Sequence, residues 1–228
     1  MQTLRESEVH LSIRPGLQEI WHSPLHISDF CFSNLARLNV NYCKFLSDAV
    51  LPFHLLPLLP KLETLEVRYC DYVKTVFDVK STRKGILITF AVKNLILSNL
   101  SNLESVWNED PHGILSMHQL QYVYVEECKV LKSVFPASVA KDFVELENVQ
   151  NCEELMTIVA EDNTDLGLEF TFPCPCVRSL KLRGLPNFEY IYYSLKSHTQ
   201  DQLFTKKVLL SHHFLLASCF VNGSMSAN

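Results

Sequence analysis

Eight cysteines and nine histidines are the residues of this chain best able to do chemistry. The cysteines are Cys31, Cys43, Cys70, Cys128, Cys152, Cys174, Cys176 and Cys219. Zinc prefers thiolate and imidazole ligands, and "PCPC" (173–176) with His212 and His213 supplies four of them. The spacing argues against such a site. Cys-x-Cys is not the C-x-x-C signal of a zinc site, and the two histidines lie in a poorly patterned stretch. A Cys/His nucleophile pair is the second candidate. Cys43, Cys70, Cys128 and Cys152 argue against it, because they hold one position in a recurring stretch. Repetition points to packing rather than to unique chemistry. Cysteine is a small hydrophobe that is often fully buried, and reactivity needs exposure and a lowered pKa. The expectation is therefore no enzyme, with no catalytic residue, no metal and no cofactor.

The elements that hold these cysteines come from an internal repeat. Five 16-residue stretches align without gaps. They are "LARLNVNYCKFLSDAV" (35–50), "LETLEVRYCDYVKTVF" (62–77), "VKNLILSNLSNLESVW" (92–107), "LQYVYVEECKVLKSVF" (120–135) and "VRSLKLRGLPNFEYIY" (177–192). A half-copy precedes them, with Val9, Leu11, Leu17, Ile20 and Trp21 in matching places. A sixth copy, "FVELENVQNCEELMTIV" (143–159), is distorted: Leu146 and Val149 are three apart where the pattern wants two. The third apolar anchors Leu11, Val40, Val67, Leu97 and Val125 step by 29, 27, 30 and 28, and Leu182 follows after 57. A period of about 28 lies in the leucine-rich-repeat range.

Each unit predicts a short strand with alternate side chains on opposite faces. Leu65 and Val67 point inward; Thr64, Glu66 and Arg68 point outward. One unit cannot bury its apolar face alone, so stacked units form a parallel sheet. The position after the strand, occupied by Cys43, Cys70, Leu100, Cys128, Cys152 and Leu185, is a narrow corner that a small apolar group fits. Trp21 and Trp107 read as core. Of the return segments, "LPFHLLPLLP" (51–60) reads as irregular or 3₁₀ structure. "FPASVAKDFVEL" (135–146) reads as a short helix opened by Pro136, with Val139 and Phe143 inward. Residues 78–88 and 160–170 read as exposed loops.

The outward face of the sheet is the candidate protein-binding surface, since solenoids bind along their concave side. One column reads Asn39, Glu66, Ile96, Tyr124 and Lys181. The next reads Asn41, Arg68, Ser98, Glu126 and Arg183. Tyr42, Tyr69, Asn99 and Glu127 stand beyond. Arg68, Tyr69, Tyr122 and Tyr124 are the best anchors, because tyrosine and arginine dominate interface hot spots. Arg68 and Tyr69 differ between copies and are where specificity is expected.

The array resembles the leucine-rich-repeat region of plant intracellular immune receptors of the coiled-coil, nucleotide-binding class. The motifs that carry the resemblance are "LPKLETLEVRYCDYVKTVF", "LSNLSNLESVW", "LQYVYVEECKVLKSVFPASVAKDF", "NCEELMTIV" and "SLKLRGLPNFEYIY". They cover roughly residues 9–195. "FPCPCV" (172–177) departs from the family spacing. The resemblance implies a non-catalytic module that senses a pathogen effector or a guarded host protein and folds against the receptor's nucleotide-binding domain. It also implies a cytoplasmic protein. No G-x-x-x-x-G-K-[ST] phosphate loop occurs here, so this chain alone is expected neither to bind nor to hydrolyse nucleotide. A second reading is the substrate-receptor array of a ubiquitin ligase, which "CKFLSDAVL" (43–51) faintly echoes. A third is a truncated product without activity.

Composition agrees with a folded repeat chain: 47% hydrophobic and 20% charged residues argue against disorder. The net charge of -5 with interspersed signs gives no basic stripe for nucleic acid. The polar N-terminus lacks a secretory h-region, and no apolar run of about 18 residues suggests a membrane span. Reduced cysteines are the expectation. The fold expected is an α/β leucine-rich-repeat solenoid of about six repeats, curved, with a parallel sheet on the concave face. The array is assigned to 1–198 and a non-repeat tail to 199–228. Within that tail, residues 208–228 are expected to stand in place of a further repeat, with an end cap as the alternative.

Overall fold

The computed structural model describes residues 2–3, 8–10, 21, 30–80, 88–111, 114–140, 145–160, 180–192 and 215–217. Its main feature is an eight-stranded sheet. In chain order the strands are β1 (Glu8–His10), β2 (Arg37–Asn41), β3 (Thr64–Arg68), β4 (Asn94–Ser98), β5 (Tyr122–Glu126), β6 (Glu145–Gln150), β7 (Leu180–Arg183) and β8 (Leu215–Ala217). Spatial order follows chain order. All neighbours from β1 to β7 are parallel. This is the leucine-rich-repeat solenoid that the period of about 28 demands: each turn of chain returns one strand beside the last.

The repeated "L-x-L/V" pairs set the inner face. Leu38, Val40, Leu65, Val67, Leu95, Leu97, Val123, Val125 and Val149 are all fully buried. β3 and β5 alternate buried and half-buried residues strictly, as period-2 geometry requires. After each strand the chain makes a tight turn. The amides of Leu46, Val73, Leu103, Leu131, Leu155 and Phe188 bond back to the carbonyls of Cys43, Cys70, Leu100, Cys128, Cys152 and Leu185, three residues earlier. The same two columns supply donor and acceptor each time, so the corner is one motif repeated six times.

Beyond the turn lies a second tier that the sequence pattern did not reveal. Ala49–Leu51, Thr75–Phe77 and Ser105–Trp107 form one three-stranded parallel sheet. Ser133–Phe135, Thr157–Val159 and Tyr190–Tyr192 form another. Within this tier Phe77 stacks on its register partner Trp107 at 5.3 Å, and Trp107 meets Phe135 of the other small sheet at 6.0 Å. Trp21 is buried too, and its indole N–H donates to the Val50 carbonyl at 2.6 Å. Both tryptophans are thus core residues.

The return segments are mostly as read. Phe53–Leu58 is a 3₁₀ helix, and Ala137–Ala140 a short α-helix with Val139 buried. Phe143 lies outside the described residues. One reading is corrected: 78–88 is not an exposed loop at its ends. Val79 is fully buried, and Ile88 joins a strand, Ile88–Thr89, that pairs with Leu115–Ser116. Apolar side chains at the ends of that segment carry it back into the core. Residues 161–170 lie outside the described set.

The distortion at Leu146 is a β-bulge. β5 pairs Val123 with Leu146 but Tyr124 with Asn148, so Glu147 is the extra residue. The bulge restores register for Val149 and Gln150. At the far end, β8 runs antiparallel to β7, with Leu180 opposite Ala217 and Leu182 opposite Leu215. A further repeat would run parallel, so this strand does not continue the array's pattern. Among the described residues no helix is long and apolar enough to cross a membrane.

Candidate functional site

The pairing register aligns the predicted columns across β2 to β5. Asn39, Glu66, Ile96 and Tyr124 stand side by side across β2 to β5, as do Asn41, Arg68, Ser98 and Glu126. The second column continues into Gln150 and Arg183. Tyr122 aligns with Asn94, Thr64 and Arg37 in a third. Arg37, Thr64, Glu66, Asn94, Ile96 and Tyr122 line a shallow groove of about 360 Å³ on this face. Lys181 and Arg183 are exposed on β7.

Two predicted contact residues are placed differently. Asn39 is 5% exposed and Ser98 is 1% exposed. Asn39 Nδ2 donates to Glu8 Oε1 at 2.7 Å. Ser98 accepts from Asn99 Nδ2 at 2.8 Å and donates to Glu126 Oε2 at 3.4 Å. Both side chains are buried and engaged by polar neighbours, so these two brace the face instead of presenting themselves.

Polar residues across adjacent strands are organised into networks. Arg68 Nε donates to Glu66 Oε1 along its own strand. Glu126 accepts from Tyr124 Oη at 2.9 Å, from Ser98 and from Gln150 Nε2. Gln150 also donates to Tyr124 Oη at 3.1 Å. Partial burial, together with the neighbouring Glu126 carboxylate, pushes the Tyr124 phenol up. A carboxylate held by three donors is pre-oriented, which lowers the ordering cost of any contact made to it. Gln150 is absent from the predicted face because the columns take residues from the regular copies alone and none from the distorted copy at 143–159. Counting two residues back from Cys152, as Glu126 stands two back from Cys128, finds it.

The edge of the sheet carries a second feature. The residue after each strand from β2 to β7 is left-handed: Tyr42 (φ 56°), Tyr69 (54°), Asn99 (56°), Glu127 (53°), Asn151 (54°) and Gly184 (61°). The turn out of the sheet demands it. The amides of the first five donate to the carbonyl ending the next strand, at Arg68, Ser98, Glu126, Gln150 and Arg183, with N···O distances of 2.9–3.1 Å. Glycine and asparagine tolerate this conformation, whereas a bulky side chain there costs about 1–2 kcal/mol. Tyrosine nevertheless stands in two consecutive copies. The rings of Tyr42 and Tyr69 stack at 4.8 Å with planes 5° apart, while remaining 65% and 42% exposed. A stacked pair returns about 0.5–1.5 kcal/mol, which offsets part of the backbone strain.

Behind the left-handed column lies the cysteine column. Cys43, Cys70, Cys128 and Cys152 are buried free thiols. Cys70 Sγ donates to the Arg68 and Val40 carbonyls at 3.3 and 3.5 Å, and Cys43 N–H approaches Cys70 Sγ at 3.4 Å. Hydrogen bonding to the next thiol, then burial, pushes the Cys43 and Cys128 thiols up. The same hydrogen bonds pull the Cys70 and Cys152 thiols down. All four are packing groups, buried at the corner. Among the described residues no group of three or more potential ligands could hold a metal ion. "PCPC" and the His212–His213 pair lie outside those residues.

The family described as "Plant disease resistance protein RPS2-like, leucine-rich repeats" matches residues 5–153 of this chain. The chain belongs to that family. A protein of Arabidopsis thaliana named as a disease resistance protein is 32% identical over 122 residues. The match covers 46% of this chain and 10% of the relative, so the chain spans about a tenth of that protein's length. No solved structure matches. The six-fold corner and the parallel sheet are therefore features of a leucine-rich-repeat region of the plant disease resistance type.

Proposed function

We propose that this RPS2-like array is a non-catalytic recognition and autoregulatory module of a plant immune receptor, working in the cytoplasm. Its partners are a pathogen effector or a guarded host protein on one side and the receptor's nucleotide-binding domain on the other. The array occupies residues 1–198, and 199–228 is a tail outside the repeat. The observation that carries the reading is the continuous parallel face. Its outward columns change chemistry from strand to strand, while the inward columns stay apolar. A surface free to vary over an invariant frame is what recognition requires. Regulation would follow by differential binding: a ligand favouring the released arrangement shifts the receptor's population toward it.

The test is co-purification of this chain with the nucleotide-binding domain of a receptor of the family, expressed in trans. Association that weakens on Arg68→Ala and Tyr124→Ala, with folding unchanged, is the expected result. No association of the parent chain would overturn the autoregulatory role.

A further inference from the structure

The edge of the sheet, not its centre, holds the most exposed aromatic surface of the described residues. Tyr42, Tyr69 and Tyr72 are large, apolar and exposed, and all three line one cleft of about 210 Å³. Asp71 lines it as well, and Ser101 Oγ donates to Asp71 Oδ1 at 3.2 Å. Among the described residues no cation is paired with the Asp71 carboxylate, although Lys44 lines the same cleft.

Three observations converge on this cleft. The corner column favours asparagine and glycine, yet Tyr42 and Tyr69 are held there against their backbone preference. Strain kept where a cheaper residue exists elsewhere in the same column is a mark of function. Their rings are stacked but not covered, so the stacking leaves ring surface open to solvent. A carboxylate held by Ser101 lines the same cleft as those rings.

We propose that this cleft binds an arginine side chain presented by a protein partner. The inference rests on the reading of the array as a recognition surface. A guanidinium is planar, stacks on aromatic faces and pairs with carboxylates, so it satisfies both chemistries at once. The Ser101 hydroxyl fixes one Asp71 oxygen and leaves the carboxylate oriented for a charge-assisted bond. Lys44 penalises a cationic occupant that makes no compensating contact to the carboxylate, which favours a forked donor over a diffuse positive patch.

The test is an NMR titration of the whole chain, labelled at tyrosine rings, with an end-blocked Gly-Arg-Gly peptide up to about 20 mM, the range expected for a single side chain. The neutral citrulline peptide and an end-blocked proline-rich peptide are the comparisons. The expected result is saturable shifts at Tyr42, Tyr69 and Tyr72, with binding about threefold weaker or more for citrulline. Asp71→Asn should weaken the arginine peptide by a similar factor and leave the citrulline peptide unchanged. No shift, equal shifts with citrulline, or shifts with the proline-rich peptide alone would overturn the proposal. Because the probe is a peptide and not a receptor domain, such a failure leaves the co-purification result standing.

Discussion

The same corner is built differently at the two ends of the array. At β6 and β7 the left-handed position holds Asn151 and Gly184, residues that adopt the conformation readily. At β2 and β3 it holds Tyr42 and Tyr69, which do not. The backbone is nearly identical, with φ between 54° and 61° at these four positions. The ladder bond from the corner amide is retained as well: Tyr42 to Arg68 at 3.1 Å, Asn151 to Arg183 at 2.9 Å. One end therefore follows the local demand of the turn, and the other departs from it without changing the turn. The difference shows that the frame, set by buried leucine, valine and cysteine, is strong enough to hold unfavourable residues at its edge.

The largest effect should come from the frame. Leu97→Ala removes a fully buried side chain from a strand with three strands on one side and four on the other, and should cost about 2–5 kcal/mol in chemical denaturation. The matching change near the array's end, Leu182→Ala, should cost less, because an end repeat has fewer neighbours to unsettle. Equal losses would mean that the two regions are not stacked units of one frame.

Next comes the conforming corner. Gly184→Ala places a side chain at φ +61°, and its Cβ would run into Asn151 Oδ1. The side chain of Asn151 can swing aside, so backbone strain of about 1–2 kcal/mol is the expected loss. Faster hydrogen exchange at the Asn151 amide, whose acceptor is the Arg183 carbonyl, should accompany it.

Thiol chemistry separates the frame from its surface in another way. Mass mapping after alkylation of the native protein should leave Cys43, Cys70, Cys128 and Cys152 unmodified. Raising the pH to about 9 should not expose Cys43 or Cys128 to reaction, since both thiols are pushed above their ordinary range near 8.5. Modification should appear only once denaturant unfolds the array.

Much of this was legible in the sequence because leucine-rich repeats write packing as period. Leu65 and Val67, Leu95 and Leu97, Val123 and Val125 fixed strand, face and register together. The cysteine column was read correctly as packing. Even the irregularity at Leu146 was visible, although its cause, one extra residue absorbed as a bulge, was not. The second tier escaped because strands of three residues such as Thr75–Phe77 are too short to show alternation. The burial of Asn39 and Ser98 escaped because it depends on partners one repeat away, Glu8 and Glu126. The left-handed column had a signal that went unused: Asn99, Asn151 and Gly184 share one place in the alignment. Tyrosine and glutamate in the other copies masked it.

The most direct measurement is the stability of the double variant Tyr42→Asn/Tyr69→Asn by urea denaturation. It gives the deviant end the residue that the conforming end already uses. Relief of left-handed strain, about 1 kcal/mol per site, should balance or exceed the lost stacking. The account predicts stability unchanged or raised, within about 1 kcal/mol. A loss of about 2 kcal/mol or more would contradict it, by showing that the tyrosines hold the sheet's edge together and are not there for a partner.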